Sequence, residues 1–167
     1  MYCPAAGICS GTLSGKELFN LPPQYLSMDE QQMEKEVIIR RLHDVLSTLP
    51  SLRIAYVYGS FLLRGDYRDI DIALLVDGRQ PGEDTFLKYA ADAGDRMEKA
   101  LDFRCECDVK ILNDQPVWFE FEVIRTGRPL YVRDDGERID FETQVTIEYQ
   151  DMKSMYDLFD REYLARA

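Results

Sequence analysis

Asp69-Ile70-Asp71 opens an apolar run, and Gly59-Ser60 stands before it, separated by the eight residues Phe61–Arg68. In an extended strand successive side chains point to opposite faces, so Asp69 and Asp71 share one face while Ile70, Ile72, Leu74 and Val76 share the other. Two carboxylates on one face repel each other and resist burial unless a cation lies with them, and hard oxygen donors suit Mg²⁺. A glycine where a strand turns into a helix lets backbone approach a ligand closely. The N–H groups after Gly59 and the Ser60 hydroxyl then offer donors to an anion. One end of the segment favours phosphate and the other favours magnesium. Together they would hold a nucleoside triphosphate with its metal, the setting for phosphoryl or nucleotidyl transfer.

A full two-metal site needs a third acid, and Asp108 is the candidate. It starts an apolar strand within Cys105–Leu112, as Asp69 and Asp71 do in theirs, with Glu106 and Lys110 on its face. The metals of such a site lie about 3.5–4 Å apart and steady the entering and leaving oxygens. The expected catalytic and metal-binding residues are therefore Asp69, Asp71 and Asp108, and the expected nucleotide contacts are Gly59, Ser60, Asp69 and Asp71. Arg64 and Arg68 could touch phosphates, but each is read as a solvated surface arginine.

The elements that must position these residues are legible from periodicity. Ile38, Leu42, Val45 and Leu49 form a helical stripe over residues 29–49, ended by Pro50. Strands are expected at 53–58, 70–76, 105–112 and, as an edge, 130–132. A helix over 83–101 should turn Phe86, Leu87, Ala90, Ala91, Met97 and Leu101 inward, and a short helix over 117–126 should stop at Gly127. A long last helix is expected over 137–166, with the stripe Phe141, Val145, Tyr149, Met152, Tyr156, Phe159 and Tyr163. The link between the first two strands is too short for a crossover, so they should pair antiparallel. The fold class is α/β (α+β): a mixed β-sheet flanked by helices, with a long C-terminal helix.

The 167 residues suit one domain. A net charge of −11 is the wrong sign for a protein that coats nucleic-acid backbone, so direct nucleic-acid binding is not expected. No apolar run is long enough to span a membrane. Residues 1–27 are poor in charge and carry Pro22-Pro23, and they read as a tail or loose cap; residues 28–167 read as the folded domain, with Met28 a candidate start for the product. Gly11 to Glu17 imitates a phosphate loop but has three residues between its glycines and glutamate after its lysine. Cys3, Cys9, Cys105 and Cys107 lack zinc-ligand spacing and read as thiols of a reducing cytoplasm. His43, the one histidine, flanks its helix's apolar stripe, which argues against serine- or cysteine-histidine chemistry.

The central segment resembles the minimal nucleotidyltransferases of the DNA polymerase β superfamily. Their signature is Gly-Ser, a spacer, Asp-x-Asp and a third Asp on a later strand, and Gly59, Ser60, Asp69, Asp71 and Asp108 match it position by position. The eight-residue spacer is shorter than the family's, which bears on loop contacts more than on metal ligands. Val109 to Asn113, followed by Phe121 to Tyr131, is similar to the MntA-type antitoxins of HEPN/MNT toxin–antitoxin pairs, and the resemblance covers about residues 29–165. It implies a polymerase β-like fold and a cytoplasmic enzyme. That enzyme would use ATP and Mg²⁺, two ions by analogy, to place AMP on a tyrosine of a partner HEPN-type ribonuclease toxin and silence it. Carried over, Asp69 and Asp71 would bind the metals and triphosphate, Gly59 and Ser60 would hold phosphate, and Asp108 would activate the tyrosine hydroxyl. The aromatic stripe of the last helix is expected to pack against the sheet, and in a second reading its exposed end docks a partner or a second copy, giving a hetero-oligomer or homodimer. Two other readings stand beside this one: an antitoxin that neutralises by contact without turnover, and a nucleotidyltransferase acting on a small molecule.

Overall fold

The computed structural model describes residues 28–63, 67–78 and 83–164. The tail, with its phosphate-loop imitation and Cys3 and Cys9, lies outside the described residues, as does Arg64. The elements are α1 (Met28–Leu46), β1 (Leu52–Tyr58), a single helical turn α2 (Ser60–Leu63) and β2 (Asp69–Val76). They continue with α3 (Glu83–Ala100), β3 (Glu106–Ile111), a 3₁₀ turn (Leu112–Asp114), α4 (Val117–Thr126), β4 (Arg128–Val132) and α5 (Asp135–Leu164).

The strands form one sheet in the order β3-β2-β1-β4. β1 pairs antiparallel with both β2 and β4, whereas β2 and β3 run parallel. The connection lengths dictate this. The short link through α2 can only reverse the chain, while the link through α3 is long enough to carry it back for a parallel crossover.

Strand alternation divides the core in two. Ala55, Val57, Ile70, Ile72, Leu74 and Val76 face α1 and α3, meeting Ile38, Leu42, Leu46, Phe86, Ala93, Met97 and Leu101. Ile54, Tyr56, Ala73 and Leu75 face the other way and meet Leu112, Val123 and Phe141. Asn113 clips the exit of β3 to the end of β2: its Nδ2 donates to the Val76 carbonyl at 2.9 Å and its Oδ1 accepts from the Val76 N–H at 3.0 Å. The Tyr56 hydroxyl donates to Glu142 Oε1 at 2.9 Å and ties α5 to the sheet.

Local periodicity misplaced several features. α1 ends at Leu46 rather than continuing to residue 49, because the chain turns there and reaches Ser51 with φ of 61°. The buried stripe of α3 is Phe86, Ala93, Met97 and Leu101; Leu87 is 74% exposed and Ala91 is also outside. α5 starts at Asp135, earlier than expected, because Asp134 Oδ1 accepts from the Glu137 N–H at 2.9 Å and caps the helix. Within the stripe of α5, Phe141 packs on the second core cluster, Val145 is buried, and Tyr149 stacks on Phe121 at 3.9 Å. The side chains of Tyr156, Phe159 and Tyr163 lie outside the described residues. Glu34, an unremarked polar residue of α1, is fully buried and pairs with Arg104 at 3.2 Å; burial raises its carboxyl above the usual range despite that partner. Cys105 and Cys107 are half-buried against the first cluster, and burial pushes the Cys107 thiol up to about 12. No helix among the described residues is long and apolar enough to cross a membrane.

The α4–α5 contact carries a pH dependence. Burial, then the nearby Glu148 charge, lifts the Glu120 carboxyl from 4.5 to about 7. A carboxyl raised by folding favours the neutral form. Its contribution is fully present below 4.5 and is lost as pH rises through 7. Thermal melts of wild type and E120Q should therefore nearly coincide at pH 5, with E120Q melting about 3 °C or more above wild type at pH 8. A gap independent of pH would contradict this assignment.

Candidate active site

Asp69 and Asp71 lie at the start of β2, on the face that continues into Ala73 and Leu75. Further along that face the 3₁₀ turn, α4 and α5 cover the sheet, and the acids occupy the end that this cover leaves accessible. Asp69 is exposed and Asp71 is half-buried. The parallel register sets Asp71 opposite Asp108 and Asp69 opposite Glu106. The antiparallel register on the other side sets Asp71 opposite Tyr58. Three strands thus deliver one residue each, Tyr58, Asp71 and Asp108, to a single row across the sheet.

The electrostatics follow from that row. The Asp71 carboxyl is raised by burial first, then by the charges of Asp69 and Asp108, with Lys110 opposing them. Lys110 Nζ donates to Asp108 Oδ1 at 3.0 Å. The Tyr58 hydroxyl is likewise pushed up, by burial and then by Asp71 and Asp108. Both groups are thus disfavoured as anions, first by burial and then by the neighbouring carboxylates, and a cation placed among them would offset that cost.

Gly59 joins β1 to α2 with φ of +73°, a conformation that side-chain-bearing residues rarely adopt. A Cβ built there would run into the Asp71 carboxylate, standing 3.0 Å from its Cγ. The glycine therefore serves two needs at once: it makes the turn and leaves room for the acid. Ser60 follows as the first residue of α2, half-buried, directly after that turn. Arg68 is exposed, as expected of a solvated arginine.

The structure thus brings Gly59, Ser60, Asp71 and Asp108 to one end of the sheet, with Asp69 beside them. As the side chains stand, no group of three or more His, Cys, Asp or Glu among the described residues is gathered tightly enough to hold a metal ion. Asp108 is instead turned to Lys110. The donor set still fits a hard divalent cation. It consists of carboxylate oxygens on adjacent strands, and one of them, Asp71, is destabilised as an anion by burial and then by its acidic neighbours.

Sequence reasoning missed Tyr58 and the aromatic residues of α4. The Tyr58 ring meets Phe119 edge-on at 5.8 Å, and Phe119 in turn meets Trp118 at 5.9 Å. The available signal for Tyr58 was its place directly before the glycine that the motif requires. No local signal placed α4 over this row.

The model of the family described as Polymerase beta, Nucleotidyltransferase matches residues 40–136. A chain from the complex of tri-AMPylated Shewanella oneidensis HEPN toxin with MNT antitoxin is similar in structure, with a TM-score of 0.57 and 22% identity, covering 80% of this chain and 98% of that one. A chain from a toxin–antitoxin structure with AMP-PNP has a TM-score of 0.60 at 19% identity, covering 75% and 98%. A chain from the toxin–antitoxin MntA-HepT structure has a TM-score of 0.55 at 20% identity, covering 80% and 98%. No match was found among curated protein sequences. At these identities the structural likeness speaks for the fold.

Proposed function

The chain belongs to the polymerase β nucleotidyltransferase family, and from that premise we propose that it transfers AMP from ATP to a hydroxyl. The acceptor in this reading is a tyrosine of a partner HEPN-type ribonuclease, and the modification makes this protein the antitoxin of the pair. The observation that carries the reading is the cross-sheet row: Asp71 in register with Asp108 on β3, Tyr58 opposite on β1, and Gly59 folded against the acid. Similar chains come from complexes of an AMPylated HEPN toxin with its antitoxin and from a toxin–antitoxin structure with AMP-PNP, which favours this acceptor over a small molecule.

The chemistry is a displacement at the α-phosphorus. The acceptor oxygen forms a bond to that phosphorus, the bond to the β-phosphate bridge oxygen breaks, and pyrophosphate departs with the electron pair. Asp108 takes the acceptor proton, and its contact with Lys110 keeps the carboxylate oriented. Gly59 and Ser60 hold phosphate oxygens through backbone and hydroxyl donors. Mg²⁺, when bound, would be held by Asp69, Asp71 and Asp108 and would neutralise charge developing on the transferred phosphoryl group.

The test is transfer of label from ATP carrying it on the α-phosphate, in the presence of Mg²⁺, to the protein encoded beside this one. We expect label on a tyrosine of that partner and loss of its ribonuclease activity. A partner that stays unlabelled while this protein still silences it would overturn the catalytic reading in favour of neutralisation by contact.

A further inference from the structure

We infer that Trp118 is the stacking platform for the base of the nucleoside triphosphate, an inference that rests on the nucleotidyltransferase reading above. Tyr58 sits opposite Asp71 in the sheet, and Asp71 sits opposite Asp108. Its ring is met by Phe119 with an interplanar angle of 86°, and Phe119 is met by Trp118 at 87°. A fixed aromatic path therefore leads from the carboxylate row to the surface in two ring contacts. Edge-to-face packing holds such rings in place. It leaves Trp118 at the outer end with 53% of its surface exposed.

The other large aromatic of α4, Phe121, is already used: it stacks on Tyr149 of α5 at 3.9 Å with the planes 4° apart. Phe119 is half-buried between its two neighbours. Trp118 alone on this helix keeps a large π-surface for a ligand. A triphosphate anchored at the carboxylates and at Gly59-Ser60 has its base at the opposite end, where a flat heteroaromatic ring needs such a surface. Stacking accepts any base, because every base has a π-face. ATP and GTP should therefore bind within a few-fold of each other.

Trp118 is the one tryptophan in the chain, so tryptophan fluorescence reports on this side chain alone. The full chain is titrated with ATP and, separately, with inorganic tripolyphosphate, both with Mg²⁺, while fluorescence and calorimetry are followed. We expect ATP to quench Trp118 and tripolyphosphate to bind without doing so. W118A should weaken ATP about tenfold or more and leave tripolyphosphate unchanged, while W118F should keep most of the affinity. ATP binding with a silent Trp118, or equal losses for both ligands in W118A, overturns the platform and leaves the transferase reading intact. A Trp118 response to the partner protein alone, with ATP bound silently, also overturns it. Failure of the folded wild type to bind ATP at all overturns the transferase reading itself.

Discussion

Asp71→Asn should abolish transfer, lowering the rate by about a thousandfold or more, while the folded protein becomes slightly more stable. The two effects have one cause. Asp71 is half-buried with Asp69 and Asp108 close by, and its carboxyl is raised by burial and by their charge. That crowding destabilises the fold without a cation and would favour a bound one. The amide fills the same space, removes the charge and loses one of the oxygens proposed to hold Mg²⁺. Loss of transition-state stabilisation worth ~4 kcal/mol corresponds to the thousandfold drop. Relief of like-charge repulsion should raise the melting temperature by about 1–3 °C, the usual exchange of stability against function. Label transfer and thermal melts on the same preparation check both. A variant that loses activity and melts lower would mean that Asp71 supports the fold instead of the chemistry.

Gly59→Ala is expected to lose about a hundredfold in transfer, and Gly78→Ala is its control. Both glycines have positive φ, +73° and +64°. Both alanines therefore suffer the same backbone strain, about 1–2 kcal/mol. They differ in what the new methyl meets. At Gly78 nothing lies within 4 Å, whereas at Gly59 the methyl enters the space of the Asp71 carboxylate. A carboxylate displaced by even an ångström can cost about a hundredfold in rate. Both variants should melt lower, by several degrees (about 4–8 °C per kcal/mol in small domains, less in larger ones), but only G59A should lose activity beyond its loss of folded protein. Equal activity in the two would show that the glycine is needed for the turn alone.

The sequence by itself determined the parts that depend on local geometry. Alternation along a strand has a period of two, so Asp69-x-Asp71 had to share a face and Ile70, Ile72 and Leu74 had to oppose it, and the core clusters divide in that way. The short β1–β2 link forced an antiparallel pair, and the longer stretch through α3 permitted the parallel one. What the tertiary structure alone decided depends on register and on covering. No spacing along the chain says that Asp108 falls opposite Asp71 rather than opposite Asp69. That is set by how α3 packs before β3 begins. Helical period could not tell which of Leu87 and Ala93 turns inward, because each belongs to a plausible stripe and only the neighbouring surface chooses. Glu34 is buried because Arg104 arrives from a segment distant in sequence, and Phe119 meets Tyr58, with Trp118 beyond it, because α4 packs on β1. Such contacts join residues far apart in the chain. Their free energy comes from packing and from paired charge, so they exist only once the elements have docked.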